Sequence, residues 1–523
     1  MDLAVLRQYL DRPDQAAPWL RSISIDDVDR AHSNLVRLAT SGLTLDLLAV
    51  ICDQLADELP RSSDAAMAVN NLDRFFAAAR NPLSLGALFE RDADALPILL
   101  QIFATSQHLS DLLIADPESY DLLRLTEGQP VRREPLVAEL VAEVLALAEQ
   151  SSIMTALRRF KRRETLRIAY GDLIRGQRLD TVARQISYLA DALIEAAVQA
   201  AWQNLSRKRA VPLTAAGQRP RFCVLALGKL GGIELNYSSD IDLVFLFDAG
   251  PDLDLGRQQA IAEFFDRLAR EVLKLLTEPT ELGAPYRVDL RLRPAGKSGP
   301  MVVPLESALQ YYDVSGRTWE RQAFVKVRAV AGHLDLGQYF LKQLEPWIYR
   351  RYLSRADITG IKALKRRIEQ RTHHEGADAR NVKTGHGGIR DVEFVIQFLQ
   401  LLNGGDLVDL RTGNTLEAIA QLEKCGCLTH QERTLLEANY SFLRKIEHRL
   451  QIMFDLQTHL LPEQPSELGK LAIRMGYQDK GGQTALAAFT ADLKTKTELN
   501  RKILDHLLHD AFSDDAAMEP ETN

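Results

Sequence analysis

Residues 228–243, GKLGGIELNYSSDIDL, decide how this chain is read: a glycine-rich turn runs into two serines, two aspartates and the start of an apolar strand. FCVLAL (222–227) before it and IDLVFLF (241–247) at its end are short and rich in aliphatic and aromatic residues, so both are predicted as strands. Side chains two apart on a strand share a face. Asp240 and Asp242 therefore project together with Val244 and Leu246, while Ile241, Leu243, Phe245 and Phe247 form an apolar face for helices to cover. Two like charges side by side repel unless water reaches both or a cation stands between them. Gly228, Gly231 and Gly232 permit positive φ and close backbone approach, so successive N–H groups can cradle an anion, with Ser238 and Ser239 as added hydroxyl donors.

The same alternation recurs in YRVDLRLRP, predicted as a strand over 286–292. Tyr286, Val288, Leu290 and Leu292 make one face; Arg287, Asp289, Arg291 and Arg293 make the other. Guanidinium groups match phosphate oxygens two at a time. If this strand neighbours the one carrying Asp240 and Asp242, three carboxylates converge. Such a set can hold two Mg²⁺ ions, with Mn²⁺ the alternative, substrate phosphate and water completing the oxygen shells. Between the two strands IAEFFDRLAREVLKLL repeats Ile261, Phe264, Leu268, Val272 and Leu275 as one helical stripe.

Outward from this unit the pattern is helical. The first 205 or so residues place apolar side chains at three- and four-residue steps, with Pro13, Pro60 and Pro82 as punctuation, and helix returns from about residue 356. The expected organisation is a helical region 1–205, a sheet-bearing catalytic domain 206–355, a helical bundle 356–510 and a disordered tail 511–523. At 523 residues several domains are expected, and 46% apolar with 26% charged residues is a soluble globular composition. No apolar run reaches the roughly 18 residues of a membrane span. A net charge of −7 gives no overall footprint for nucleic acid. Cys52, Cys223 and the Cys425/Cys427 pair lack the spacing of a disulfide framework or zinc site, and read as reduced thiols of a cytoplasmic protein.

Gly-Gly, a short spacer, D-x-D and a later strand-borne acid resemble the nucleotidyltransferase superfamily that includes DNA polymerase beta. The fuller run, continued by RVDLRLRPAGKSGP, YYDVSGRTWERQAFVKVRAVAG and KTGHGGIRDVEFVIQFLQLL, with RRFKRRETLRIAYGDL upstream, is similar to the glutamine synthetase adenylyltransferase family. The resemblance covers most of the chain and implies a helix-rich α+β fold, with a nucleotidyltransferase-type small sheet domain flanked by helical domains. Members of that family carry two similar halves, one attaching AMP to a tyrosine of glutamine synthetase and one removing it by phosphorolysis to ADP. ELNYSSD, SGP, Tyr311/Tyr312 and GRTWER resemble the amino-terminal, removing half; Gln322 departs from it, since Tyr is usual there.

The resemblance implies Asp240, Asp242 and Asp289 as catalytic metal ligands. It implies Gly228, Lys229, Gly231, Gly232, Ser238 and Ser239 at nucleotide phosphates, with Arg291, Arg293, Lys326 and Arg328 facing phosphate in the same cleft. The implied partners are glutamine synthetase, inorganic phosphate, ADP or ATP, the PII signalling protein and a second catalytic half. The alternatives are the AMP-attaching activity, a more distant uridylyltransferase acting on PII, and a non-catalytic regulatory module binding glutamine synthetase, PII or a nucleotide. Four features are expected to be structural. The basic run Arg158–Arg159–Lys161–Arg162–Arg163–Arg167 reads as a solvated helix face, with a docking face for an acidic or phosphorylated partner as the alternative. His373, His374 and His386 read as loop histidines, GHGGIRDVEF as the entry to a helix with a second anion site there as the alternative, and Tyr311, Tyr312 and Trp319 as core or cleft-wall aromatics.

Overall fold

The computed structural model describes residues 1–250, 254–351 and 380–513, with side chains as far as residue 508. His373, His374 and the tail 514–523 lie outside the described residues. The chain packs as two compact units, Met1–Pro130 with Thr165–Arg178 and Lys445–Asp492, and Val131–Glu164 with Leu179–Arg444 and Leu493–Asn523. Each draws on both of the helical regions that composition marks out. No helix among the described residues is long and apolar enough to cross a membrane.

The first unit is helical, and its boundaries follow local signals. Asp27, Thr44 and Asp64 cap the helices Val28–Thr40, Leu45–Glu58 and Ala65–Ala78 by accepting from the backbone N–H groups of Arg30, Leu47 and Met67. Pro13 and Pro82 open the helices Pro13–Ser22 and Pro82–Arg91, where a missing N–H is harmless. Phe75 packs edge-on against Phe103 and Tyr120 at 5.6 and 6.3 Å, and Phe76 against Phe89 at 5.9 Å.

The second unit holds a mixed sheet. Its strands are β1 (Arg221–Leu227), β2 (Ile241–Asp248), β3 (Val288–Asp289), β4 (Val302–Pro304) and β5 (Arg328–Gly332). β1 pairs antiparallel with both β2 and β5, while β3 and β4 pair parallel with successive stretches of β2. The helix Leu255–Thr277 covers one face: Phe265 lies 5.4 Å from Phe222 and 5.1 Å from Phe247. The helix Leu334–Ile348 crosses the other, where a Cβ on Gly337 would stand 2.5 Å from Ala329 Cβ and 2.7 Å from Cys223 Sγ. Val244 and Leu246 are thereby buried, and Asp242 is left half-buried at the start of β2. Tyr312 enters the core against Phe324 and Trp347, whereas Trp319 is exposed.

Two expectations need correction. The strand over 286–292 contracts to Val288–Asp289, because the Asp289 carboxylate accepts from Arg291 N–H at 2.8 Å and turns the chain out of the sheet. The basic run is not a solvated face either, although Arg159 within it is exposed. Arg158 is 1% exposed and donates to the carbonyls of Gly283, at 2.7 Å, and Glu278, just beyond the last turn of the helix Leu255–Thr277. Lys161 donates to Pro285 O at 2.6 Å and sits over the Tyr286 ring, three residues before Asp289. These cations prop the segment that carries the third acid. Arg158→Met leaves buried carbonyls without donors and is expected to cost about 3 kcal/mol, read as a lower urea midpoint.

Candidate functional site

Asp242 and Asp289 are register partners on the parallel pair β2–β3, and Asp240 immediately precedes β2. The sheet thus brings together the three acids that the sequence singles out. Burial, then the neighbouring Asp289 and Asp240, push the Asp242 carboxyl up to about 6, with Arg291 and Lys383 pulling the other way. Asp289 is held below the usual carboxylate range, chiefly by the Arg291 guanidinium, which donates to both its oxygens at 2.7 and 3.0 Å. Arg287 holds Asp240 at 2.6 Å and donates to Ser238 O at 2.7 Å.

Among the described residues no three acidic, imidazole or thiol groups already stand as a metal cage. Arg287 and Arg291 occupy two of the three carboxylates. Their side chains are 57% and 69% exposed, so these are weak surface pairs that a divalent cation can displace. The hard oxygen donors, and the repulsion concentrated on Asp242, fit a Mg²⁺-like ion in kind.

The glycine turn abuts this edge. Gly228 has φ +58°, and a Cβ there would stand 2.5 Å from Asp242 Oδ2. Gly231 and Gly232 are not at positive φ, and their part is close packing. A Cβ on Gly231 would collide with Lys326 O and lie 2.7 Å from Ala226 O; on Gly232 it would lie 2.6 Å from Gly413 O. The Gly232 N–H is spent on Gly228 O at 3.1 Å. Gly231→Ala is expected to cost about 3 kcal/mol, the upper end of ordinary overpacking, measured by chemical denaturation. Ser238 is buried; Ser239 and Lys229 are half-buried beside the acids and the turn.

Three other residues read as facing phosphate are placed elsewhere. Arg293 is turned onto its own loop, donating to Leu290 O at 2.8 Å and Pro300 O at 3.0 Å. Lys326 precedes β5 in a turn and is 5% exposed; its ammonium pairs with Glu234 and donates to Thr415 Oγ1 at 3.1 Å. Arg328 makes a two-pronged pair with Asp191 at 2.7 and 2.9 Å and donates to Leu230 O at 3.0 Å, bracing the glycine turn. Of the four cations read as facing phosphate, Arg291 alone stands at the acids.

Sequence reasoning passed over two features. Lys383, in KTGHGG, is close enough to lower both Asp242 and Glu393, so its charge reaches the acid edge; the glycine-rich run around it was the available signal. Beneath the turn lies a buried polar cluster. Arg444 donates to Glu234 O at 2.6 Å and Asn236 Oδ1 at 2.5 Å, fixing the backbone that leads to Ser238 and Asp240. It also donates to Tyr440 Oη at 2.7 Å, and Tyr440 donates to Glu393 at 2.9 Å. Asp391 accepts from Gly387 N–H at 2.9 Å at the start of the helix Ile389–Asn403, and His386 is exposed.

Residues 96–343, which include all three acids, match the family model for glutamate-ammonia ligase adenylyltransferase, and residues 362–508 match that for PII-uridylyltransferase. Curated relatives carry the name bifunctional glutamine synthetase adenylyltransferase/adenylyl-removing enzyme. The one from Methylococcus capsulatus is 36% identical over 81% of this chain and 44% of its own length. Those from Agrobacterium fabrum and Mesorhizobium japonicum are 36% and 38% identical over 76% and 73% of this chain, and 41% and 39% of their own. The chain therefore spans less than half the length of these relatives. With the acid triad and the glycine turn inside the first matched region, the chain belongs to the glutamate-ammonia ligase adenylyltransferase family.

Proposed function

We propose that this chain removes AMP from an adenylylated tyrosine of glutamine synthetase by phosphorolysis, releasing ADP and restoring the free tyrosine. The observation that carries the reading is the register pairing of Asp242 with Asp289, beside Gly228 and two residues from Asp240. The ELNYSSD and SGP segments favour the removing direction, one of the two activities in the relatives' names. A phosphate oxygen attacks the AMP phosphorus, the bond from phosphorus to the tyrosine oxygen breaks, and the phenolate takes a proton.

Phosphate is already an anion and the phenol has a pKa of about 10, so the reaction needs charge neutralisation and alignment more than a strong base. Asp240, Asp242 and Asp289 would hold Mg²⁺, which supplies neutralisation of the phosphates and of the departing phenolate. Arg291, exposed beside Asp289, would bind phosphate oxygens, and Lys383 would add a second positive charge. Gly228 keeps side-chain atoms away from Asp242, and Ser239 offers a hydroxyl donor. PII and a second catalytic half belong to the same reading, as regulators of when this site works.

Metal binding gives one test and direction another. Mn²⁺ binding, followed by its paramagnetic resonance signal, is expected to weaken at least about tenfold in Asp240→Asn/Asp242→Asn; undiminished binding points to the regulatory-module reading. With unmodified glutamine synthetase and labelled ATP, little AMP incorporation is expected. Incorporation outrunning release would assign the attaching direction instead.

A further inference from the structure

We propose that the first helical unit carries a binding site for a small phosphate-class dianion, in a cleft lined by Arg61, Lys445, Arg449 and Arg474. The cleft has a volume of about 560 Å³, within the range of small-ligand sites and larger than phosphate alone needs. Every residue lining it belongs to that unit.

Positive charge in this cleft outweighs negative. Arg449, at the floor, is 3% exposed and neutralised by a two-pronged pair with Asp172 at 2.7 and 2.9 Å. Arg474 is half-buried and has only neutral acceptors, Ser63 Oγ at 3.3 Å and Ala104 O at 3.4 Å. The carboxylates that bear on it, Asp64 and Glu467, are both held by Lys470 at 2.8 Å. Lys445 stands at the mouth, one helical turn from Arg449 on the same helix. Among the described residues Arg61, Lys445 and Arg474 form no ion pair with a carboxylate. Glu58 and Asp94 also line the cleft, and Asp172, besides pairing with Arg449, acts in favour of the Lys445 charge.

A half-buried guanidinium without a carboxylate partner is costly, and more so with the exposed Lys445 and the paired Arg449 beside it. Burial lowers the pKa of Arg474, and burial followed by Arg449 lowers that of Lys445, so each charge is opposed by its surroundings. A dianion reverses that balance. A guanidinium offers a planar fork and an ammonium a compact charge, the combination suited to phosphate oxygens, and the remaining space admits the rest of a small phosphate ester. Inorganic phosphate and a phosphate monoester share this chemistry.

The test is equilibrium dialysis of radiolabelled inorganic phosphate against the full chain in EDTA, compared with chloride at equal ionic strength. One saturable site per chain is expected. Its affinity should fall at least about tenfold in Arg474→Met, fall in Lys445→Met and stay unchanged in Asp242→Asn. If Arg474→Met does not fold, Lys445→Met at the solvent-facing mouth decides alone. Competition by glycerol phosphate would mark an ester site, and its failure to compete a site for the free anion. Binding lost in Asp242→Asn but kept in both cleft variants would overturn the proposal, as would no saturable binding beyond the chloride control.

Discussion

Asp242→Asn is expected to abolish AMP removal, by about 1000-fold or more, without lowering thermal stability. Losing a ligand whose charge is needed in the transition state removes electrostatic stabilisation that no neighbour replaces. Stability moves the other way because the carboxylate sits against Asp289 and Asp240 in a half-buried edge. Its pKa, raised to about 6 by burial and then by those two acids, means the fold holds this proton more tightly than the unfolded chain does. Its contribution therefore weakens as pH rises from about 4 through 6, and without metal the ionised form opposes folding above that. Asn keeps the shape and removes the repulsion. Melting curves in EDTA at pH 8 should show the variant at or above the parent, while turnover is lost. A variant that melts clearly lower would mean that Asp242 is a structural residue.

Lys326→Met is expected to destabilise the second unit by roughly 3–5 kcal/mol, the cost of breaking a buried pair from one side. The variant leaves Glu234 and the largely buried Glu393, 3.8 Å away, without their ammonium. Glu234 also accepts from Thr415 N–H and Thr415 Oγ1, each at 3.1 Å, so the cluster ties the segment after the glycine turn to the helix Thr415–Lys424. Lys326→Met/Glu234→Gln should recover part of the loss, because it removes the stranded charge. Acid should narrow the gap between parent and single variant. Burial pushes Glu393 up, but Lys326, Lys229, Arg444 and Lys383 outweigh it and hold the carboxyl at about 2. Its stabilisation is complete above the ordinary value of about 4.3 and is lost as pH falls toward 2. Urea unfolding across that range measures this; a pH-independent gap contradicts the role given to the cluster.

The parts of the fold legible in the sequence were those fixed by local patterning. The apolar runs 222–227 and 241–247 became β1 and β2, and the stripe from Ile261 to Leu275 became a helix packed by Phe264 and Phe265. Side-chain alternation misled at 286–292, because a strand and a turn stapled by an aspartate can share the same pattern, and Asp289 does both jobs. It misled again at Lys326 and Arg328, whose acidic partners lie 92 and 137 residues away in sequence. Arg158 and Lys161 hid their role for a related reason: their acceptors are backbone carbonyls at the end of a helix and in the loop after it, and carbonyls leave no mark in composition. The convergence of Asp240, Asp242 and Asp289 needed one long-range fact, the pairing of β3 with β2.

The central claim is that this acid-lined edge transfers AMP from tyrosine to phosphate. It is tested most directly by incubating the chain with Mg²⁺ and glutamine synthetase carrying labelled AMP, with and without inorganic phosphate. The account predicts label appearing as ADP only when phosphate is present, and none with Asp242→Asn. Label released as free AMP regardless of phosphate, or ADP formed equally well by Asp242→Asn, would contradict it.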